Sequence, residues 1–170
     1  MGKITVHIAK PGDADAVTAL FERSYAALLA RDYQPDILRR GMAFLARANP
    51  DLLASGTYYL ARTDDGDLAG AGGWTVMRPG GDKTDIQTGI VHVRHFAVDP
   101  DYTRKGIGKM LFDRCVQDAT CKQHVAQFEC YSTLSARRFY ESLGFEVIGP
   151  FEAPFAPDFT FPSLHMRKML

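Results

Sequence analysis

The sequence has no excess of either charge: 20 Lys and Arg face 20 Asp and Glu, a formal net charge of zero, with no polybasic run. That excludes the broad electrostatic attraction on which binding to nucleic acid or an anionic membrane rests, so any anion must be held locally. Cysteine is scarce. Cys115, Cys121 and Cys130 are odd in number, form no C-x-x-C pair and have no His at metal-ligand spacing. This argues against a disulfide framework and a metal site, and predicts buried free thiols. Nowhere do the roughly 18 uninterrupted apolar residues of a membrane-crossing helix occur, and the opening Met1-Gly2-Lys3-Ile4-Thr5-Val6 has no apolar leader. The expectation is a cytoplasmic chain with no nucleic-acid, membrane or metal partner.

What is present suits one core. Residues 1–170, 46% hydrophobic and 24% charged, are enough for one ordinary domain, without repeats or linkers. Ile4, Val6 and Ile8 alternate as in a strand that ends at Pro11-Gly12, and Asp13 is placed to cap the helix that follows. That helix carries Val17, Leu20, Phe21, Tyr25, Leu28 and Leu29 on one face. A second helix starts at Pro35 and stops at Asn49-Pro50. Thr57 to Arg62 and Leu68 to Met77 read as a hairpin, its second strand holding Gly70-Ala71-Gly72-Gly73, which suggests a bulge or a close neighbour. Arg78 to Thr88 is a loop, Gly89 to Val98 a fourth strand, and about Val125 to Tyr131 a fifth. Further strands begin at Phe145 and near Phe161. Between them Gly149 to Asp158, with Pro150, Pro154 and Pro157, reads as a stiff loop. The pattern is α/β, a mixed sheet of about seven strands flanked by about four helices.

Two segments carry chemistry. In Asp99-Pro100-Asp101-Tyr102-Thr103-Arg104-Lys105-Gly106-Ile107-Gly108-Lys109 a strand turns into a helix that starts on two glycines. A helix N-terminus offers unpaired N–H groups and the positive end of its dipole, which suits a phosphate. A P-loop would need Gly at Thr103 and Ser or Thr at Met110, and a dinucleotide turn would need Gly at Leu111, so neither spacing fits. The second segment, Ser135-Ala136-Arg137-Arg138-Phe139-Tyr140-Glu141-Ser142-Leu143-Gly144-Phe145, reads as a short helix ended by glycine and followed by a strand. On its own, Phe139, Tyr140 and Leu143 at helical spacing would be core residues.

Together, in this order, the two segments resemble the R/Q-x-x-G-x-G/A and A-x-x-F-Y-x-x-x-G-F elements of the GNAT N-acetyltransferases. The resemblance is close from Ile90 to Phe145 and holds in outline elsewhere. It departs at Thr103, which stands where the motif has Arg or Gln. The resemblance implies a GNAT fold and acetyl-CoA as co-substrate. Its pyrophosphate would be gripped by amides of Thr103, Arg104, Lys105, Gly106, Ile107, Gly108 and Lys109, with Arg104 or Lys105 adding charge. Its pantetheine would pair with the backbone of Phe96, Ala97 and Val98, where an N–H can polarise the carbonyl. Ser135 would bond the pantetheine or cap the helix, the capping role being the expected one, and Arg138 lies beside it. Tyr140 would protonate the leaving thiolate.

The implied reaction moves acetyl directly to a primary amine in one ternary complex. An alkyl amine is neutral in only about 1 molecule in 2,500 at pH 7, so the reaction needs a base. In the family that base projects from the fourth strand, and counting back six from Val98 lands on His92. His95 competes, because a bulge in this strand would reverse its face. Arg94, on the nominal face of His92, could bind an acidic group of the acceptor or pair with Asp85 or Glu129. Tyr33 and Phe44 border the acceptor side, the acceptor being a small molecule or a protein amine. A non-catalytic acyl-CoA binding or sensing module is the alternative, and a homodimer is compatible with either.

Overall fold

The computed structural model describes residues 2–170. Seven strands form one mixed sheet in the order β1-β2-β3-β4-β5-β7-β6. β1 (Ile4–Ile8), β2 (Tyr58–Thr63), β3 (Leu68–Thr75) and β4 (Ile90–Val98) are antiparallel neighbours, whereas β4 and β5 (Gln127–Thr133) run parallel. β7 (Phe159–Met169) lies antiparallel between β5 and β6 (Glu146–Ala156). Parallel neighbours need a crossover, here α4 (Ile107–Lys122).

Alternation along the strands builds two cores. Tyr58, Leu60, Ala71 and Ala97 point to one face, under α1 (Ala14–Leu29), α2 (Pro35–Leu45) and the short α3 (Pro50–Ala54). Tyr59, Ala61, Val91, Val93 and Phe128 point to the other, under α4 and α5 (Arg137–Ser142). Each fully buried large apolar side chain contributes roughly 1.5–3 kcal/mol. The glycines of β3 are steric requirements of this packing: a Cβ at Gly72 would lie 2.5 Å from the Phe96 ring, and one at Gly70 would lie 2.8 Å from Ile107. No described helix is long and apolar enough to cross a membrane.

The structure corrects four expectations of local order. Gly149 to Asp158 is mostly strand: Pro150 and Pro154 sit in β6, an edge strand with β7 as its one neighbour, where a missing N–H breaks no second ladder. Asn49-Pro50 starts a helix as well as ending one, since Asn49 Oδ1 accepts from the amides of Asp51 (2.9 Å) and Leu52 (3.4 Å). Asp13 sits at the cap position of α1 but makes no capping bond there; it accepts from the Lys10 amide and Arg62. Cys115 and Cys130 are buried, but Cys121 is exposed, and all three are free thiols.

Tyr33 ties the α1–α2 connection to the sheet. Its hydroxyl donates to the Pro162 carbonyl at 2.7 Å and accepts from the Leu134 amide at 2.8 Å. Burial pushes its pKa up to about 12, which keeps it a donor. Phe44 remains 45% exposed beside Phe155 and Phe159 of the β6–β7 hairpin.

Candidate active site

The site is organised by one irregularity in β4. Ala71 pairs with Ala97 and Gly73 with Arg94, so one extra residue of β4 is accommodated between these pairs, and His95 there has φ +50°. Such a bulge sends neighbouring side chains to the same face. His92 and Arg94 point toward the α1–α2 side, as does His95, whose ring stacks on Phe21 with centroids 4.0 Å apart. Two carbonyls at the bulge are taken by tyrosine hydroxyls: Tyr58 donates to His95 O at 2.6 Å and Tyr25 to Phe96 O at 3.1 Å. Both phenols have raised pKa values through burial and stay protonated.

β4 and β5 pair only from Ile90 to His92, against Gln127 to Glu129. β4 then continues to Val98 and β5 to Thr133 with no further pairing between them. The strands open like a fork with His92 at its base. The backbone edge of Phe96 and Val98 therefore lines an opening where an extended ligand can add as a strand would, whereas Ala97, expected to pair with the ligand too, sits in the hydrogen-bonded row with Ala71 and turns its backbone groups to β3.

Tyr140 and Ser135 lie on the segment beyond β5. The Tyr140 ring is 6% exposed, 6.5 Å from Phe96 and 5.3 Å from Phe145. Desolvation raises its pKa well above 10, so it is a phenol at any physiological pH. Ser135 does not cap: α5 takes Ala136 as its N-cap with no side-chain bond. The Ser135 hydroxyl is instead buried without a partner among the described residues. An unsatisfied buried hydroxyl costs about 1–3 kcal/mol, which a ligand amide would offset.

At the other end of β4, Asp99 caps a 3₁₀ turn over Pro100–Tyr102, accepting from the Asp101 amide at 3.0 Å. Thr103 Oγ1 donates to the Pro100 carbonyl at 3.0 Å, so this side chain holds the turn. Arg104 (φ +60°) and Gly106 (φ +77°) are both left-handed. The first bond of α4 runs from the Met110 amide to Gly106 O at 2.9 Å. The amides of Ile107, Gly108 and Lys109 therefore have no intrahelical acceptor. The two glycines differ in role. A Cβ at Gly106 would meet nothing within 4 Å, whereas one at Gly108 would lie 2.7 Å from Phe139 of α5. Gly106 supplies the left-handed turn, and Gly108 lets α5 pack on α4. Of the nearby cations, Lys105 Nζ turns back to Asp101 O (2.9 Å) and Lys109 pairs with Asp113 (2.6 Å). Arg104 and Arg138 are exposed and make no ion pair among the described residues.

His92 is 5% exposed and its Nδ1 is buried without a partner among the described residues. Desolvation lowers its pKa to about 4, against an opposing pull from Glu129. His95 is lowered to about 4 as well, again by desolvation. Its Nε2 lies 2.8 Å from Leu45 O and must carry the proton there, which leaves Nδ1 as the one nitrogen able to accept. Both rings are neutral at pH 7.

Sequence reading missed what surrounds His92. Glu129 is its register partner, and Tyr131 stacks between His92 (6.4 Å) and His165 (5.0 Å). Glu129 Oε2 lies 3.2 Å from His165 Nε2, and Gln127 donates to its other oxygen at 2.6 Å. The alternation of Gln127, Glu129 and Tyr131 marked one strand face; only the register joins it to His92. Among the described residues no three His, Cys, Asp or Glu gather as around a metal ion.

The profile of the acetyltransferase (GNAT) domain family matches residues 31–154. The chain belongs to that family. No curated protein matched the sequence. Solved structures do. A GCN5-related N-acetyltransferase from Rhodopseudomonas palustris superposes with a TM-score of 0.71 at 19% identity, over 100% of this chain and 96% of that one. PaiA N-acetyltransferase from Thermoplasma acidophilum, solved with coenzyme A, gives 0.67 at 15% identity over 99% of both. A GNAT-family acetyltransferase from Staphylococcus aureus gives 0.64 at 18% identity over 99% of both. At these identities the likeness establishes the fold, the mixed α/β sheet of the family.

Proposed function

We propose that residues 1–170 form one N-acetyltransferase domain that moves the acetyl group of acetyl-CoA to a primary amine in a single ternary complex. The observation that carries this reading is the fork between β4 and β5, with neutral His92 at its base, the partnerless Ser135 hydroxyl beyond β5, and the Gly106 turn at the end of β4. Bound there, acetyl-CoA would supply an activated thioester.

The chain's own residues then divide the work. Amides from Thr103 to Lys109 hold the pyrophosphate at the start of α4, with Arg104 and Arg138 free to add charge. Backbone groups of Phe96 and Val98 orient the arm, and an N–H of one of them polarises the carbonyl oxygen. Ser135 Oγ donates to an amide carbonyl of the arm. His92, neutral and with a vacant acceptor at Nδ1, removes a proton from the amine, with His95 Nδ1 the competing acceptor. Tyr140 Oη holds the proton that the leaving sulfur needs. None of the three thiols is required as a nucleophile: burial pushes the pKa of Cys115 and Cys130 up, so neither ionises near neutrality.

The test is thiol release from acetyl-CoA across a panel of amines, with wild type, His92→Ala and Tyr140→Phe compared. The expected result is amine-dependent release that drops at least about tenfold in each variant. Tight CoA binding with no acetylation of any amine would favour an acyl-CoA sensor instead.

A further inference from the structure

Among the described residues, Arg94 is a cation without a counterion on the α1–α2 side of the sheet. Its Nη1 donates to Thr75 Oγ1 at 2.8 Å and to the Met77 carbonyl at 3.4 Å, both neutral groups. No carboxylate lies within ion-pairing distance of it among the described residues. The two acids that the sequence offered are engaged elsewhere: Asp85 lies 3.4 Å from Arg78 and accepts from the Asp82 amide, while Glu129 faces His165 and Gln127. Arg94 Nε and Nη2 make no hydrogen bond to a described residue, yet neither is among the fully buried atoms that lack partners. This edge is the one through which a guanidinium takes a carboxylate in two parallel bonds.

Arg23 offers a contrast within the same molecule. Its Nε and Nη2 both close on Asp99, at 2.9 and 2.7 Å. Arg94 has the same edge open. Burial disfavours the charged form of Arg94, so an anion at that edge would be bound with more than the usual surface ion-pair energy.

The position is as informative as the open edge. Thr75 is the cross-strand partner of His92, and Arg94 pairs with Gly73 in the next same-face row. By bonding to Thr75 the guanidinium is drawn back along the strand toward the imidazole, so the two groups share one region of the α1–α2 face. A cation there also disfavours an ammonium beside it, which helps keep a bound amine neutral.

We infer that the Nε–Nη2 edge of Arg94 binds a carboxylate of the acceptor, making the acceptor an amino acid rather than a plain alkylamine or a polyamine. The inference rests on the transferase reading above and adds the substrate class. It is tested by thiol release from acetyl-CoA with matched pairs: leucine against 3-methylbutylamine, and phenylalanine against phenethylamine. For wild type the amino acid of each pair is expected to exceed its decarboxylated partner in kcat/KM by about tenfold or more, as a site built around a polar group discriminates strongly against its loss. Arg94→Gln should remove that preference, chiefly by raising KM for the amino acids, so that the two members of each pair come to react with similar kcat/KM. Arg94→Lys should restore part of it. Because an α-carboxylate itself lowers the basicity of the amine, the pairs are compared per neutral amine, and on that footing the wild-type pairs decide the matter even where a variant fails to fold. Equal rates within each pair overturn the carboxylate anchor and leave the transferase standing; no release with any amine, beside measurable CoA binding, overturns both.

Discussion

Arg23 on α1 holds Asp99 at the end of β4 through two nitrogens, Nε at 2.9 Å and Nη2 at 2.7 Å from the same Oδ2, while Asp99 Oδ1 accepts from the amide of Asp101. Asp99 is 6% exposed. One carboxylate thus ties the first helix to the turn that leads into α4. Arg23→Ala leaves this buried acid without its counterion. Because the arginine side chain is 53% exposed, the expected loss is about 1–2 kcal/mol rather than that of a fully buried pair. A thermal melt measures it, and CoA titration should show weaker binding as the turn loosens.

Gly106 and Gly108 should fail in different ways when each is replaced by alanine. Gly106→Ala meets open space but must hold a left-handed backbone, at about 1 kcal/mol, and it places a methyl where a phosphate would approach. Gly108→Ala drives a methyl against Phe139, an overpacking that typically costs about 1–3 kcal/mol. The melt should therefore fall more for Gly108→Ala, and CoA affinity more for Gly106→Ala. Combining Gly108→Ala with Phe139→Leu should recover part of the stability, since the clash is with that ring alone among side chains.

The Gly106 turn and the Tyr140 helix were legible because their geometry is local: a left-handed glycine before a helix, and a helix ended by Gly144 at φ +89°. The strand count was legible for the same reason. Register was not. That Glu129 faces His92, that His95 occupies a bulge, and that Arg94 loses both of its candidate partners depend on pairings between segments far apart in sequence. Pro150 and Pro154 misled because proline is excluded from central strands only, and nothing local marks β6 as an edge. Ser135 looked like a cap because Ser at a helix start usually is one; here Ala136 takes that position and the hydroxyl points elsewhere.

Tyr140→Phe removes one oxygen from a ring that packs against Phe96, Phe139 and Phe145. The ring contacts persist, so stability should change by less than about 1 kcal/mol. If the hydroxyl protonates the leaving sulfur, kcat should fall about 10²-fold with KM for acetyl-CoA nearly unchanged. Because burial holds its pKa well above 10, wild-type activity should show no alkaline limb from this phenol below pH 10. Steady-state kinetics on both proteins across pH 7–10 check the pair of statements.

Acid should destabilise the protein through its two neutral histidines. His92 and His95 each titrate near 6.5 when unfolded and at about 4 when folded. Between those values the unfolded chain binds protons that the folded one refuses, so stability must decline as pH falls. The contribution is complete above pH 6.5 and shrinks down to about pH 4, at about 1.4 kcal/mol per pH unit for each ring. Denaturant unfolding at pH 7, 6, 5 and 4 should show a slope approaching twice that figure midway, after allowance for the carboxylates. Replacing either ring by Gln should reduce the slope by about half, because Gln cannot titrate. His95→Gln can still donate to the Leu45 carbonyl and should keep most of the neutral-pH stability. A slope indifferent to both substitutions would mean that the rings are hydrated in solution and titrate near 6.5, and the case for His92 as a base neutral far below pH 7 would fall with it.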